Sequence, residues 1–128
     1  MEYFFSKIVP AEFADAIALT KKALAAEGFG VISEIDMQGK LKEKLGVDYK
    51  KYTILGACNP SFAYKALQIE ERIGTMLPCN VVVIERGDGT SEVAAVHPVA
   101  SMMAIQNTEL QSIAKEVTDK LERVINQL

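Results

Sequence analysis

Soft-metal and thiol chemistry has little to work with in this chain, which carries two cysteines and one histidine among 128 residues. Two cysteines point to reduced thiols rather than to a disulfide framework. A dense Lys/Arg stripe is also missing, the net charge is −3 and the pI lies near 5.2. Non-specific binding to nucleic acid or to an acidic membrane surface requires such a stripe to release counterions, so neither is expected. Lys40, Lys42, Lys44, Lys50 and Lys51 cluster, but Glu43 and Asp48 interrupt them, as on a solvated face. No apolar run approaches the roughly 20 residues that span a bilayer. Glu2 and the amphipathic stretch EYFFSKIV stand where a secretory signal needs a basic end and an apolar run. A cytoplasmic location is the expectation. A Gly-rich phosphate loop is absent, since the GDG of residues 87–89 falls between two strands rather than between a strand and a helix.

What is present describes an ordinary folded domain spanning 1–128, with 49% hydrophobic and 24% charged residues. A chain of this length buries roughly two-thirds of its unfolded surface, enough for a core without disulfides or metal. EYFFSKIV predicts a first strand. Pro10 then opens a helix with the stripe Phe13, Ile17, Thr20, Leu24, closed by Gly28. FGVISEID predicts a strand with Phe29, Val31 and Ile35 on one face, and Leu41, Leu45 and Gly46 mark a short helix. YTILGAC is the next strand. Asn59-Pro60 starts a second long helix with Asn59 as its cap, the stripe Phe62, Ala66, Ile69, Ile73, and Gly74 at its end. VVVIERGDGTSEVAAVHP predicts a hairpin turning at Gly87-Asp88-Gly89. A final helix follows, with a Thr108…Gln111 capping box and the stripe Leu110, Ile113, Val117, Leu121, Val124, Leu128.

The order β-α-β-(α)-β-α-β-β-α implies an α+β two-layer sandwich: a mixed sheet of about five strands with helices on one face. Val81 to Ile84 is continuously apolar, as in a strand buried on both sides. A two-layer monomer leaves one sheet face bare, and a homodimer is the simplest cover for it.

Both cysteines precede asparagine, in GACNP and in LPCN. Cys58 ends a strand just before a helix N-terminus, where the dipole and free amides lower a thiol's pKa and bind anions. The competing reading makes Cys58 a small buried hydrophobe. If the helix after Asn59 crosses directly between parallel strands, it carries the chain about 20 Å. Cys58 and Cys79 then lie at opposite ends of the sheet, beyond the roughly 7 Å a disulfide allows. His97 offers Cys79 another partner. A three-residue loop pairing Arg86 with Thr90 sets Cys79 opposite His97, whereas a two-residue Asp88-Gly89 turn sets His97 opposite Asn80. The first register permits a thiol–imidazole pair that activates a nucleophile or binds a soft metal, and the second turns Cys79 to the other side; the competing reading makes His97, before Pro98 at a strand end, the cap of a turn. Glu34 and Asp36 share a strand face and read as solvated, and Met102-Met103 lie in an apolar connection suited to core filling, a pocket or a dimer contact.

The blocks ILGACNP, AYKAL and LPCNVVV resemble a bacterial and archaeal family known as domain of unknown function number 302, and the likeness extends from GFGVISEID through most of the chain. Asp36, Lys44, Leu55, Gly56, Cys58, Asn59, Pro60, Ala63, Leu77, Pro78, Cys79 and Asn80 carry it. The resemblance implies a compact α+β fold and a dimer, and brings no activity, substrate or cofactor. His97-Pro98 departs from the Asp-Pro expected after the last strand. The reading of the whole sequence is a homodimeric module that binds a small molecule or anion. Its candidate site is Cys58, Asn59, Cys79, Asn80 and His97, with no recognised catalytic motif and no specified cofactor. A thiol-dependent enzyme or metal or haem carrier using Cys79 or Cys58 is the alternative, and a purely structural interaction domain is another.

Overall fold

The computed structural model of the chain describes residues 2–128. Five strands form one sheet in the order β1-β5-β4-β3-β2: β1 (Phe4–Val9), β2 (Gly30–Asp36), β3 (Tyr52–Cys58), β4 (Cys79–Glu85) and β5 (Ser91–Val96). The helices are α1 (Phe13–Ala26), α2 (Met37–Leu45), α3 (Pro60–Ile69), α4 (Pro98–Ser101) and α5 (Thr108–Asn126), with a 3₁₀ segment at Glu71–Met76. The α+β architecture agrees with the element order read from the sequence. All neighbouring strands, however, run antiparallel, where a mixed sheet was expected.

The reason lies between Cys58 and Cys79. α3 stops at Ile69 rather than at Gly74, because Glu70 leaves helical geometry at φ −138° and ψ 105°. Its carboxylate then accepts from the Arg72 amide and starts the 3₁₀ segment. With that reversal the chain re-enters the sheet at the end from which it left, so β4 pairs antiparallel with β3 and not parallel to it.

α1 and α5 cover one face of the sheet. Leu55, Val81, Val83, Val93 and Ala95 point from the strands into a core that Ala16, Leu24, Leu121 and Val124 complete from the helices. A second cluster of Ala66, Ile73, Met102, Leu110 and Ala114 joins α3 and the 3₁₀ segment to α5. Two buried hydroxyls are hydrogen-bonded to carbonyls: Thr20 donates to Ala16 within α1, and Ser91 donates to Ala11, which holds the start of α1 against β5.

The other face carries no such cover. Ser6, Ala94, Val82, Ile54 and Ile35 lie side by side across the five strands, and Ile35 remains 40% exposed. Val81 and Val83 are fully buried, but Val82 and Ile84 of the same apolar run face this bare side and are only half-buried. Ile35 arrives there because β2 bulges between Val31 and Ser33, shifting its later residues by one face. Phe29, Val31 and Ile35 therefore do not share a face as alternation predicts. The same shift turns Glu34 toward α1, where Lys21 pairs with it at 2.6 Å.

Candidate functional site

The sheet, α3 and α5 leave a cavity of about 280 Å³ at the end of β3 and the beginning of β4. Its lining is almost wholly apolar: Phe29, Phe62, Leu77, Met102, Ile113 and Val117 are among the walls, and no Lys, Arg, Asp or Glu contributes. Alanines at positions 63, 66 and 114 face it from α3 and α5, and these short side chains leave the space open. Ile32, the extra residue of the β2 bulge, stands at the rim with 65% of its surface exposed.

Both cysteines line this cavity. Ala57 of β3 is directly paired with Cys79 of β4, so Cys58 sits one residue along from that pair. The expectation that the two cysteines occupy opposite ends of the sheet is thus overturned, for the reason given above: the connection doubles back. Both are free thiols and both are half-buried. Burial pushes the Cys79 thiol up to about 11, with a smaller contribution from a negative charge on Cys58.

Asn59 occupies the N-cap position of α3, but its side chain makes no cap bond. Its amide instead donates to the Glu27 carbonyl at 3.4 Å, tying the cavity rim to the end of α1. Glu27 in turn receives Arg123 from α5 at 3.1 Å, so three helices are pinned around the rim. Cation–aromatic contacts from Lys65 and Lys120 flank the outer side of Phe62.

Two residues of the sequence-derived site stand elsewhere. Asn80 is paired with Gly56 on the bare face of the sheet and is exposed. The hairpin does turn through the three-residue loop, with the Arg86 amide donating to the Thr90 carbonyl. That register aims positions 79 and 97 at one face, yet the β4–β5 ladder ends at Val81 and Ala95. His97 has already left the sheet. Its Nδ1 accepts from the Ala100 amide as the cap of α4, and its ring stacks on Phe5 at 4.7 Å. No hydrogen bond joins it to Cys79 among the described residues, nor does any cluster of three or more His, Cys, Asp or Glu there suit a metal ion.

The contribution of α5 to the cavity, through Leu110, Ile113, Ala114 and Val117, was not foreseen. Its stripe was visible as core, and the signal that part of it borders a void is the facing of small residues, Ala63 and Ala66 against Ala114.

Comparison with known proteins bears on this geometry. The model of the family described as Domain of unknown function DUF302 matches residues 5–128. This chain belongs to the DUF302 family. The crystal structure of an uncharacterized conserved DUF302 protein from Bacillus stearothermophilus superimposes with a TM-score of 0.90 at 27% identity, covering 98% of each chain. An uncharacterized protein of Aquifex aeolicus (strain VF5) is 26% identical over 91 residues, 71% of this chain. The match spans 57% of that relative's own length. No helix among the described residues is long and apolar enough to cross a membrane.

Proposed function

We propose that the chain is a binding module that takes a small, mainly apolar molecule into the cavity between β3, α3 and α5, without catalysing a reaction on it. The cavity itself carries this reading. A preformed concave space of about 280 Å³, walled by hydrophobic side chains with a single amide at its rim, has the composition of a small-ligand pocket. A small inorganic anion fits less well, because no cationic side chain lines the walls and an unpaired charge there meets a large desolvation cost. Asn59 is the residue placed to orient a polar group of the guest.

Binding of anilinonaphthalene sulfonate to the folded protein, read by fluorescence and competed by short-chain alcohols and indole, tests this proposal. Saturable binding with one site per chain supports it. Absence of binding at any probe concentration below that which unfolds the protein refutes it and leaves a structural interaction domain.

The protein is further proposed to work as a homodimer in the cytoplasm. The apolar row across the bare sheet face supports the first point, since such a face is rarely left in water. Two thiols held free within one cavity suit a reducing compartment and support the second.

A further inference from the structure

We propose that Cys58 and Cys79 form a dithiol–disulfide pair, a modification site that closes within one chain when it meets a low-molecular-weight disulfide of the glutathione class. It goes beyond ligand binding and stands whether or not the cavity takes a guest. The register is the first support. Directly opposed Cα atoms of antiparallel strands lie about 4.5–5.5 Å apart and each residue advances about 3.4 Å. Because Ala57 faces Cys79, the Cα atom of Cys58 lies about 6 Å from that of Cys79, inside the disulfide range of roughly 4.4–6.8 Å.

Side-chain direction is the second support. Strict alternation would turn Cys58 away from the face that Ala57 and Cys79 share, but β3 ends at Cys58 and the chain turns into Asn59-Pro60. Both residues border the same cavity. The third support is chemical. With no cationic wall residue, the cavity favours uncharged species, and the dithiol and the disulfide are both uncharged.

The two sulfurs have distinct roles. Cys58 attacks first, because burial holds the Cys79 thiol in its protonated form. A bond forms between its Sγ and one sulfur of the small disulfide, whose own S–S bond breaks and releases one small thiolate. Cys79 then gives its proton to water and attacks the Sγ of Cys58. The Cys58–Cys79 bond forms, the mixed disulfide breaks, and the second small thiol leaves. Two protein thiols are oxidised and one small disulfide is reduced to two thiols.

The test incubates the reduced, folded, full-length protein with oxidised glutathione and follows intact mass, free thiols and a peptide map. The expected product has lost both thiols together, weighs two hydrogens less, and yields one Cys58–Cys79 cross-linked peptide pair. Cys79→Ser is expected to stop at one glutathione adduct on Cys58, and Cys58→Ser to react roughly tenfold more slowly than the parent chain. Stable glutathione adducts on the unmutated protein overturn the proposal, as do cross-links between chains. Retention of both thiols in the folded protein, under conditions that oxidise the denatured chain, overturns it as well. None of these readouts depends on whether anilinonaphthalene sulfonate binds, so this proposal and the ligand-binding one fail separately.

Discussion

Ala57 and Cys79 face one another across the β3–β4 ladder, and this single pairing brings the chain's two thiols to one cavity. A burial-shifted thiol makes stability depend on pH. The folded Cys79 thiol titrates at about 11 against a reference of 9.0, chiefly because burial disfavours the thiolate. Below the reference value both states keep the proton and stability is undiminished. As pH rises through the window from 9.0 to about 11, the unfolded chain loses the proton first, so stability falls. The loss attributable to this thiol is at most roughly 2–3 kcal/mol. Urea midpoints at about pH 8 and about pH 10.5 measure it, with Cys79→Ala as the comparison. The variant is expected to lose less stability over that interval, and parallel declines would contradict the assignment.

Gly56 is expected to tolerate no side chain. A Cβ there would clash with Ser33 Oγ and stand 2.7 Å from Pro78 Cγ. Gly56→Ala should therefore destabilise the fold by about 1–3 kcal/mol, the usual cost of overpacking. Ser33→Gly removes one of the two clashes and should restore part of the loss in the double variant. Denaturant unfolding measures both. No loss in the single variant would mean that Pro78 moves freely, and then the placement of Cys79 just after it needs revision.

Ala63→Phe places a ring from α3 into the cavity. The expected result is a fall of about tenfold or more in affinity for anilinonaphthalene sulfonate, with little change in the unfolding midpoint. Unchanged affinity in a folded variant would move the probe's site elsewhere.

Val82→Lys sets a charge in the centre of the bare sheet face, between Ala94 and Ile54. If two copies associate through this face, the variant becomes monomeric by sedimentation while keeping its secondary structure. A parent protein that is already monomeric at every concentration tested would dispose of the dimer.

Much of the fold was legible because local chemistry decides it. YTILGAC is the observed β3 residue for residue. Gly28 and Gly46 follow α1 and α2 with φ of +86° and +68°, conformations in which only glycine is unstrained. The hairpin loop was readable to within one residue, since Gly87 and Gly89 both adopt positive φ. Other features were decided by competition between near-equal neighbours. Asn107 rather than Thr108 caps α5, accepting from the Leu110 amide, while Gln111 donates to Ile105 instead of closing a capping box. Asn59 kept its cap position but gave its side chain to Glu27.

By itself the sequence determined the five strands, the longer helices and their order, because 3.6- and 2-residue periodicities and glycine or proline punctuation act within a few residues. The direction of β4, the bulge that turns Ile35 outward, the departure of His97 from the ladder and the meeting of Cys58 with Cys79 were settled only by the tertiary structure. Each depends on contacts between segments distant in sequence, and the direction of β4 follows a connection in which α3 gives way to a 3₁₀ segment at Glu70.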